Sequence, residues 1–183
     1  MKNTKSLIGA LLFAGAAFAS SAVLAGDISH PIAALTLEDG SASLGDSFSA
    51  GNKGSTFAER YSFTLTGTSD FDALISSQSP SAANGLTIDS LGLYSINNVN
   101  PLASGVMLSK GKIDLWSLTS TGLSAGDYYI KIGGFTNSGA GSSYSGNVTV
   151  TAVPEPATYG MLLGGLGLLG FMSRRRKNAA AQA

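Results

Sequence analysis

Between residues 26 and 153 apolar side chains recur at every second position in several short runs. Tyr61, Phe63 and Leu65 alternate with Ser62, Thr64 and Thr66. Tyr128, Ile130 and Ile132 alternate with Tyr129 and Lys131, and Tyr144, Gly146, Val148 and Val150 alternate with Asn147, Thr149 and Thr151. A period of two is the pattern of a strand with one buried face. Residues 33–38, 71–77, 86–96 and 112–119 are further candidate strands. Within 86–96 the apolar phase changes near Ser90, from Leu86 and Ile88 to Leu91 and Leu93, which predicts a bulge. Turn chemistry at Asp39-Gly40, Asn84-Gly85, Ala125-Gly126-Asp127 and Gly133-Gly134 separates the runs. No part of this region carries a sustained helical stripe. Seven or eight short strands at this spacing predict an all-β domain, an antiparallel β-sandwich or jelly roll.

The two ends follow a different pattern. Residues 1–25 open with Lys2 and Lys5, continue with an uncharged apolar run over 7–18 and close on Val23-Leu24-Ala25. Those are the three parts of a secretory signal peptide, with cleavage expected between Ala25 and Gly26. The run is short for the roughly 20 residues that a spanning helix needs. Residues 157–173 form a second stretch without charge, followed at once by Arg174, Arg175, Arg176 and Lys177. This is expected to be a C-terminal transmembrane helix at the lower limit of spanning length, held by a basic stop-transfer cluster that stays in the cytoplasm. A buried core helix is the competing reading, and the adjoining cations disfavour it. Gly160 and Gly164 are spaced for close helix approach, a weaker signal because membrane helices are often glycine-rich. The expected organisation is a signal peptide at 1–25, a β domain at 26–152 and a C-terminal segment at 153–183.

Composition refines this division. The chain has 183 residues, 11 basic and 11 acidic, no cysteine and one histidine. Zero net charge argues against a generally basic nucleic-acid binder, and the missing cysteines remove disulfides and thiolate chemistry. The balance is uneven along the chain: residues 26–153 hold 5 basic and 10 acidic side chains, a net of −5. That region also contains 17 Gly and 23 Ser, a composition suggestive of disorder that the strand periodicity overrides.

Candidate chemistry is sparse. His30, just before Pro31, reads as a flexible surface residue, so a Ser-His-Asp hydrolase built on it is disfavoured. Asp70, Asp72, Asp89 and Asp114 match no calcium-loop spacing and read as turn caps or solvated carboxylates. Trp116 and the tyrosines are expected in the core, with a sugar-stacking face as the alternative. Residues 137–146 lack the trailing Lys and Ser or Thr of a phosphate loop and read as a flexible hairpin connection. Asn147-Val148-Thr149 matches a glycosylation acceptor inside an expected strand. No cofactor and no metal are expected.

Val153-Pro154-Glu155-Pro156, the apolar span and the basic cluster together resemble the PEP-CTERM sorting signal of exported proteins in Gram-negative bacteria. The prolines fix φ and bias Val153 and Glu155 towards extended backbone, so the motif suits presentation as a stiff peptide outside a bilayer. The resemblance implies export through signal peptidase and the Sec machinery. It also implies an exosortase partner, a multi-spanning membrane protein with a Cys-His-Arg site for which this chain is the substrate. Phe57-Ala58-Glu59-Arg60-Tyr61-Ser62-Phe63 is similar to the FxDxF motif of a PEP-CTERM family, with Glu59 for Asp and Tyr61 for the second Phe. Residues 123–134 and 144–150 are similar to closing strands of that family and to pre-peptidase C-terminal β-sandwiches; neither supplies a catalytic residue. What the resemblance implies is a non-enzymatic protein of the cell surface or extracellular polysaccharide matrix, in a biofilm or floc setting, with extracellular polysaccharide as candidate partner. The alternatives are a carbohydrate-binding module using Trp116 or exposed tyrosines, and a permanently anchored envelope protein.

Overall fold

The computed structural model describes residues 25–81, 83–154 and 156–180, with helix side chains described over 158–172. The expected leader up to Leu24, the Glu155 of the sorting motif and the side chains of Arg174, Arg175, Arg176 and Lys177 lie outside the described residues. The strands are β1 (Ala33–Ala34), β2 (Ser41–Phe48), β3 (Thr56–Leu65), β4 (Ser69–Gln78), β5 (Leu86–Ser95), β6 (Ala103–Ser104), β7 (Val106–Ser109), β8 (Ile113–Leu123), β9 (Gly126–Thr136) and β10 (Ser142–Ala152). One helix, α1 (Pro156–Ala180), follows them.

The strands form two five-stranded sheets in the orders β1-β3-β9-β5-β6 and β2-β10-β4-β8-β7. From β2 to β5 the chain changes sheet at every connection, and again between β6 and β7, β8 and β9, and β9 and β10. Alternate side chains therefore meet between the layers. Phe57, Tyr61 and Phe63 of β3, Phe71 and Ile75 of β4, Ile88 and Leu93 of β5, Ile130 and Ile132 of β9 and Val148 of β10 are all buried. Phe63 stacks on Phe71 across the layers at 5.1 Å. The expected all-β sandwich is thus present; among the described residues its edge departs from a purely antiparallel arrangement, with β1 parallel to β3 and Asp27 bridging Thr56 in parallel.

The bulge expected near Ser90 is found as a register shift between Ile88 and Ser90 opposite β9. Its partners are Gly134 and Gly133, which the sequence places in a turn; they lie inside β9. A side chain on Gly134 would collide with the Thr87 carbonyl, so the two glycines serve close strand approach at the bulge. Asp39-Gly40 does turn the chain, with φ of 48° and 77° at the two positions. Residues 137–146 do not form a hairpin: β9 and β10 belong to different sheets, and 142–146 are already strand. β2 goes unnoticed in the sequence because its SASLGDSF run places small or polar residues at most positions, although Leu44 and Phe48 are buried.

Serines do more than decorate surfaces. Ser77 and Ser79 are buried, and both hydroxyls donate to the Leu86 carbonyl, at 3.1 and 3.4 Å. Asp114 is neither solvated nor a simple turn cap. It is 2% exposed, and its Oδ2 accepts the Ile88 N–H at 3.0 Å while Oδ1 accepts the Gly111 N–H at 2.8 Å. It thereby satisfies a backbone donor that the bulge frees from the ladder. Asp114→Ala leaves both donors without an acceptor and is expected to lower stability by about 1–3 kcal/mol, read as a lower urea midpoint at unchanged slope. A loss under about 0.5 kcal/mol would show that the carboxylate does not support the bulge.

Candidate functional site

The best-defined constellation of ionisable groups is built on the edge of β3 that faces away from β9. Residues 26–35 run along that edge instead of trailing from the domain. Thr56 N–H donates to the Gly26 carbonyl and Ile28 N–H to the Thr56 carbonyl, both at 2.9 Å, and Ala58 N–H donates to Ser29 Oγ at 2.7 Å. Farther on, Leu35 N–H reaches the Ser62 carbonyl at 2.7 Å. These bonds fill donors and acceptors that an edge strand would otherwise expose. They also correct the reading of His30 as a flexible surface residue, because its backbone is carried on the docked segment.

His30 makes contacts from both backbone and ring. Its backbone N–H donates to Glu59 Oε1 at 2.9 Å, and its ring Nδ1 lies 3.2 Å from the same oxygen. Nδ1 also lies 2.7 Å from Asp46 Oδ2. Ionised carboxylates only accept, so Nδ1 is the donor and its hydrogen is shared between two acids. The ring stacks on Phe48 at 5.9 Å. Asp46 foremost holds the His30 pKa above its ordinary value; loss of hydration opposes this, and Glu59 adds to it.

Glu59 is the unusual member, an acid in the inward phase of β3 with only 2% of its surface exposed. The residues of the sequence motif, Phe57, Glu59, Tyr61 and Phe63, are all buried together on that face. Phe57 stacks on Tyr144 at 5.7 Å and packs on Phe48 at 4.7 Å. The Tyr61 and Tyr144 hydroxyls are 2.7 Å apart. Burial pushes the Tyr61 pKa up to about 12, and burial, then the hydrogen bond to Tyr61, drives that of Tyr144 higher still. Both phenols therefore stay protonated beside the two carboxylates. Asp46 escapes the sequence because β2 is too polar to announce itself, and the Tyr61–Tyr144 pairing because the two tyrosines lie on strands of opposite sheets. Glu59 leaves a signal: an acid in the buried phase of a strand needs a partner.

The other candidates separate. Asp70 is not a local turn cap: its Oδ1 accepts the Gly122 N–H of β8 at 2.8 Å, beside the register shift between β4 and β8. Exposed Asp89 accepts from its neighbour Ser90. Trp116 is 8% exposed and donates its indole N–H to the Ile88 carbonyl at 3.2 Å, so it belongs to the core.

At the C-terminal side, Val153 N–H donates to the Thr68 carbonyl at 2.9 Å, the last hydrogen bond between the sheet and the sorting motif among the described residues. Beyond Pro154 the chain enters α1 at Pro156, where proline suits the first helical turn. Met161, Leu162, Leu163, Leu166, Leu168, Leu169 and Phe171 are each more than half exposed, and they point to all sides of the helix. Among the described residues no helix is long and apolar enough to cross a membrane.

Residues 152–177 match the PEP-CTERM protein-sorting motif. That motif implies export in Gram-negative bacteria and exosortase as the processing partner. No curated protein matches the chain. Among solved structures, the chain is similar to Aeromonas hydrophila PliG, a periplasmic lysozyme inhibitor of g-type lysozyme, at 14% identity and a TM-score of 0.45, over 68% of this chain and 99% of that one. It is also similar to the pre-peptidase C-terminal domain of a Bacillus anthracis collagenase, at 15% identity and a TM-score of 0.36, over 69% of this chain and 94% of that one.

Because the folded-state pKa of His30 is raised, the protonated ring favours the folded state. That contribution is complete below the unfolded value of about 6.5 and is lost as pH rises through the higher folded value. The difference in urea midpoint between the parent and His30→Gln, in metal-free buffer, is therefore expected to shrink from pH 5.5 to pH 9. A difference that stays constant over that range would show that His30 does not act through its charge.

Proposed function

We propose that this chain is an exported structural protein of the cell surface or extracellular matrix, delivered through its C-terminal motif by exosortase and contributing to biofilm or exopolysaccharide assembly without catalysis of its own. The observation that carries this reading is the sorting motif at residues 152–177 directly behind a β-sandwich. Val153 still belongs to the domain's hydrogen-bond network, and Pro154 stands between it and α1. A processing enzyme would therefore meet the proline-flanked motif just past the last bond to the sheet, where the prolines favour extended backbone.

In the precursor, residues 157–173 engage the inner membrane and Arg174–Lys177 hold the tail on the cytoplasmic side. Support comes from the apolar side chains exposed around the whole of α1, a distribution that suits a lipid or protein surround better than water. The five glycines from Gly160 to Gly170 dilute its hydropathy, so the span would favour a thin bilayer or close contact with another membrane helix. Residues 1–25 act as the leader, with Gly26 at the mature start. The hydrogen bonds from Gly26 onward agree with this, since the first mature residues are structural in the domain.

A second reading, glycan binding in the same matrix, rests on tyrosines in place of Trp116. Tyr94 and Tyr129 stack at 4.9 Å and 8° on the outer side of their sheet. Beside them is a recess of about 350 Å³ whose lining includes Asp89, Ser104 and Lys131. Stacking faces flanked by polar groups suit a sugar chain.

Mass spectrometry of the protein released by a sorting-competent host should show an N-terminus at Gly26 and a C-terminus upstream of Arg174. A released chain still ending at Ala183 would overturn the exosortase reading. In a polysaccharide pull-down, the Tyr94→Ala/Tyr129→Ala double variant is expected to lose retention about tenfold, while retention unchanged from the parent would remove the glycan reading.

A further inference from the structure

The cluster around His30 has features that an ion pair alone does not explain. His30, Asp46 and Glu59 each present a ligand atom, and these atoms lie within 4.8 Å of one another. Three separate segments supply them: the docked N-terminal stretch, β2 of one sheet and β3 of the other. Each donor is held in place. Asp46 Oδ1 accepts the Ser47 N–H at 2.7 Å, which turns Oδ2 to the cluster. The His30 ring rests on Phe48, and its own backbone N–H is bound to Glu59.

Glu59 supplies an independent observation. It is 2% exposed and both its hydrogen bonds come from His30 to Oε1; among the described residues Oε2 accepts none and is not sealed from solvent, so it is open to a further ligand. Two acids facing one imidazole also leave negative charge in excess. Neither acid pairs with a lysine or arginine among the described residues.

We propose that His30, Asp46 and Glu59 form a binding site for a divalent cation of the zinc class, a metal site separate from the sorting motif. Ligands about 2.0–2.2 Å from such an ion stand roughly 3 Å apart, and the Nδ1 to carboxylate separations here are 2.7 and 3.2 Å. One imidazole with two carboxylates is a mixed nitrogen and oxygen set that suits zinc or manganese, whereas calcium takes six to eight oxygens at longer range. The cation replaces the shared Nδ1 hydrogen, which leaves to solvent as a proton, and it uses the Glu59 oxygen left unpaired. The half-exposed imidazole leaves the outward side of the ion to water. Because Asp46 and Glu59 lie on opposite sheets, the ion staples the two layers and the docked N-terminal segment at one rim of the sandwich, the role that disulfides play in other exported domains.

The test is calorimetric titration of the full chain, untagged, metal-stripped and held in mild detergent, with zinc, manganese and calcium chlorides in turn. The expected result is one zinc or manganese per chain, calcium binding weaker, and a rise in thermal midpoint on loading. His30→Ala and Asp46→Asn are each expected to weaken zinc binding at least about tenfold, while their metal-free forms still melt cooperatively. Asp46→Asn keeps the shape of its side chain and decides the matter should His30→Ala fail to fold. The proposal is overturned by no stoichiometric binding, by parent-like zinc affinity in Asp46→Asn, or by a preference for calcium.

Discussion

Alternation along β3 is the constraint around which one end of this protein is organised. A strand sends every second side chain into the interface between the sheets, and in β3 that phase runs Phe57, Glu59, Tyr61, Phe63 and Leu65. Phe57, Phe63 and Leu65 need only a dry surface, and Tyr61 also finds a partner for its hydroxyl in Tyr144. The fifth carries a charge into the same layer, where an uncompensated carboxylate is costly. The docked segment from Gly26 meets that need, since it brings both the backbone N–H and the ring of His30 to Glu59. The same segment closes the edge of the sheet, so one local arrangement serves charge compensation and edge protection together.

The remaining polar burial follows the same logic on a smaller scale. A bulge between Ile88 and Ser90 frees a backbone donor, and Asp114 reaches it from the opposite sheet. Ser77 and Ser79 answer the Leu86 carbonyl in the adjoining turn of chain. A domain rich in serine and glycine can thus keep a dry core: its small polar residues meet backbone groups where strands deviate, and its glycines permit the close approach of β9 to the bulge. The absence of cysteine in the sequence makes such internal bonding more important for an exported chain. The sorting segment stands apart from all of this. Among the described residues its last hydrogen bond to the sheet is at Val153, and the helix beyond exposes apolar side chains on every side.

What could be read directly from the residues was whatever repeats over a short range. The strands around Tyr61, Tyr128 and Tyr144 declared themselves by a period of two, the phase break at Ser90 marked the bulge, and the order of Pro154, Pro156, the apolar run and the cations marked the sorting signal. β2 did not declare itself, because residues such as Ser41, Ser43 and Ser47 take outward positions and only Leu44 and Phe48 carry the apolar phase. Gly133 and Gly134 pointed to a turn, since glycine marks positive φ and close approach equally well; only the strand opposite reveals which applies.

Neighbours a few residues apart were enough for the class of the domain, the buried face of the strands around Tyr61, Tyr128 and Tyr144, and the address at the C-terminal end. Tertiary structure alone decided what His30 does. Asp46 and Glu59 lie 16 and 29 positions from it along the chain, on two sheets whose pairing is settled by the packing of the whole core. No local pattern records that meeting, and a histidine beside a proline at the start of a domain looks the same whether it is free or clamped between two acids.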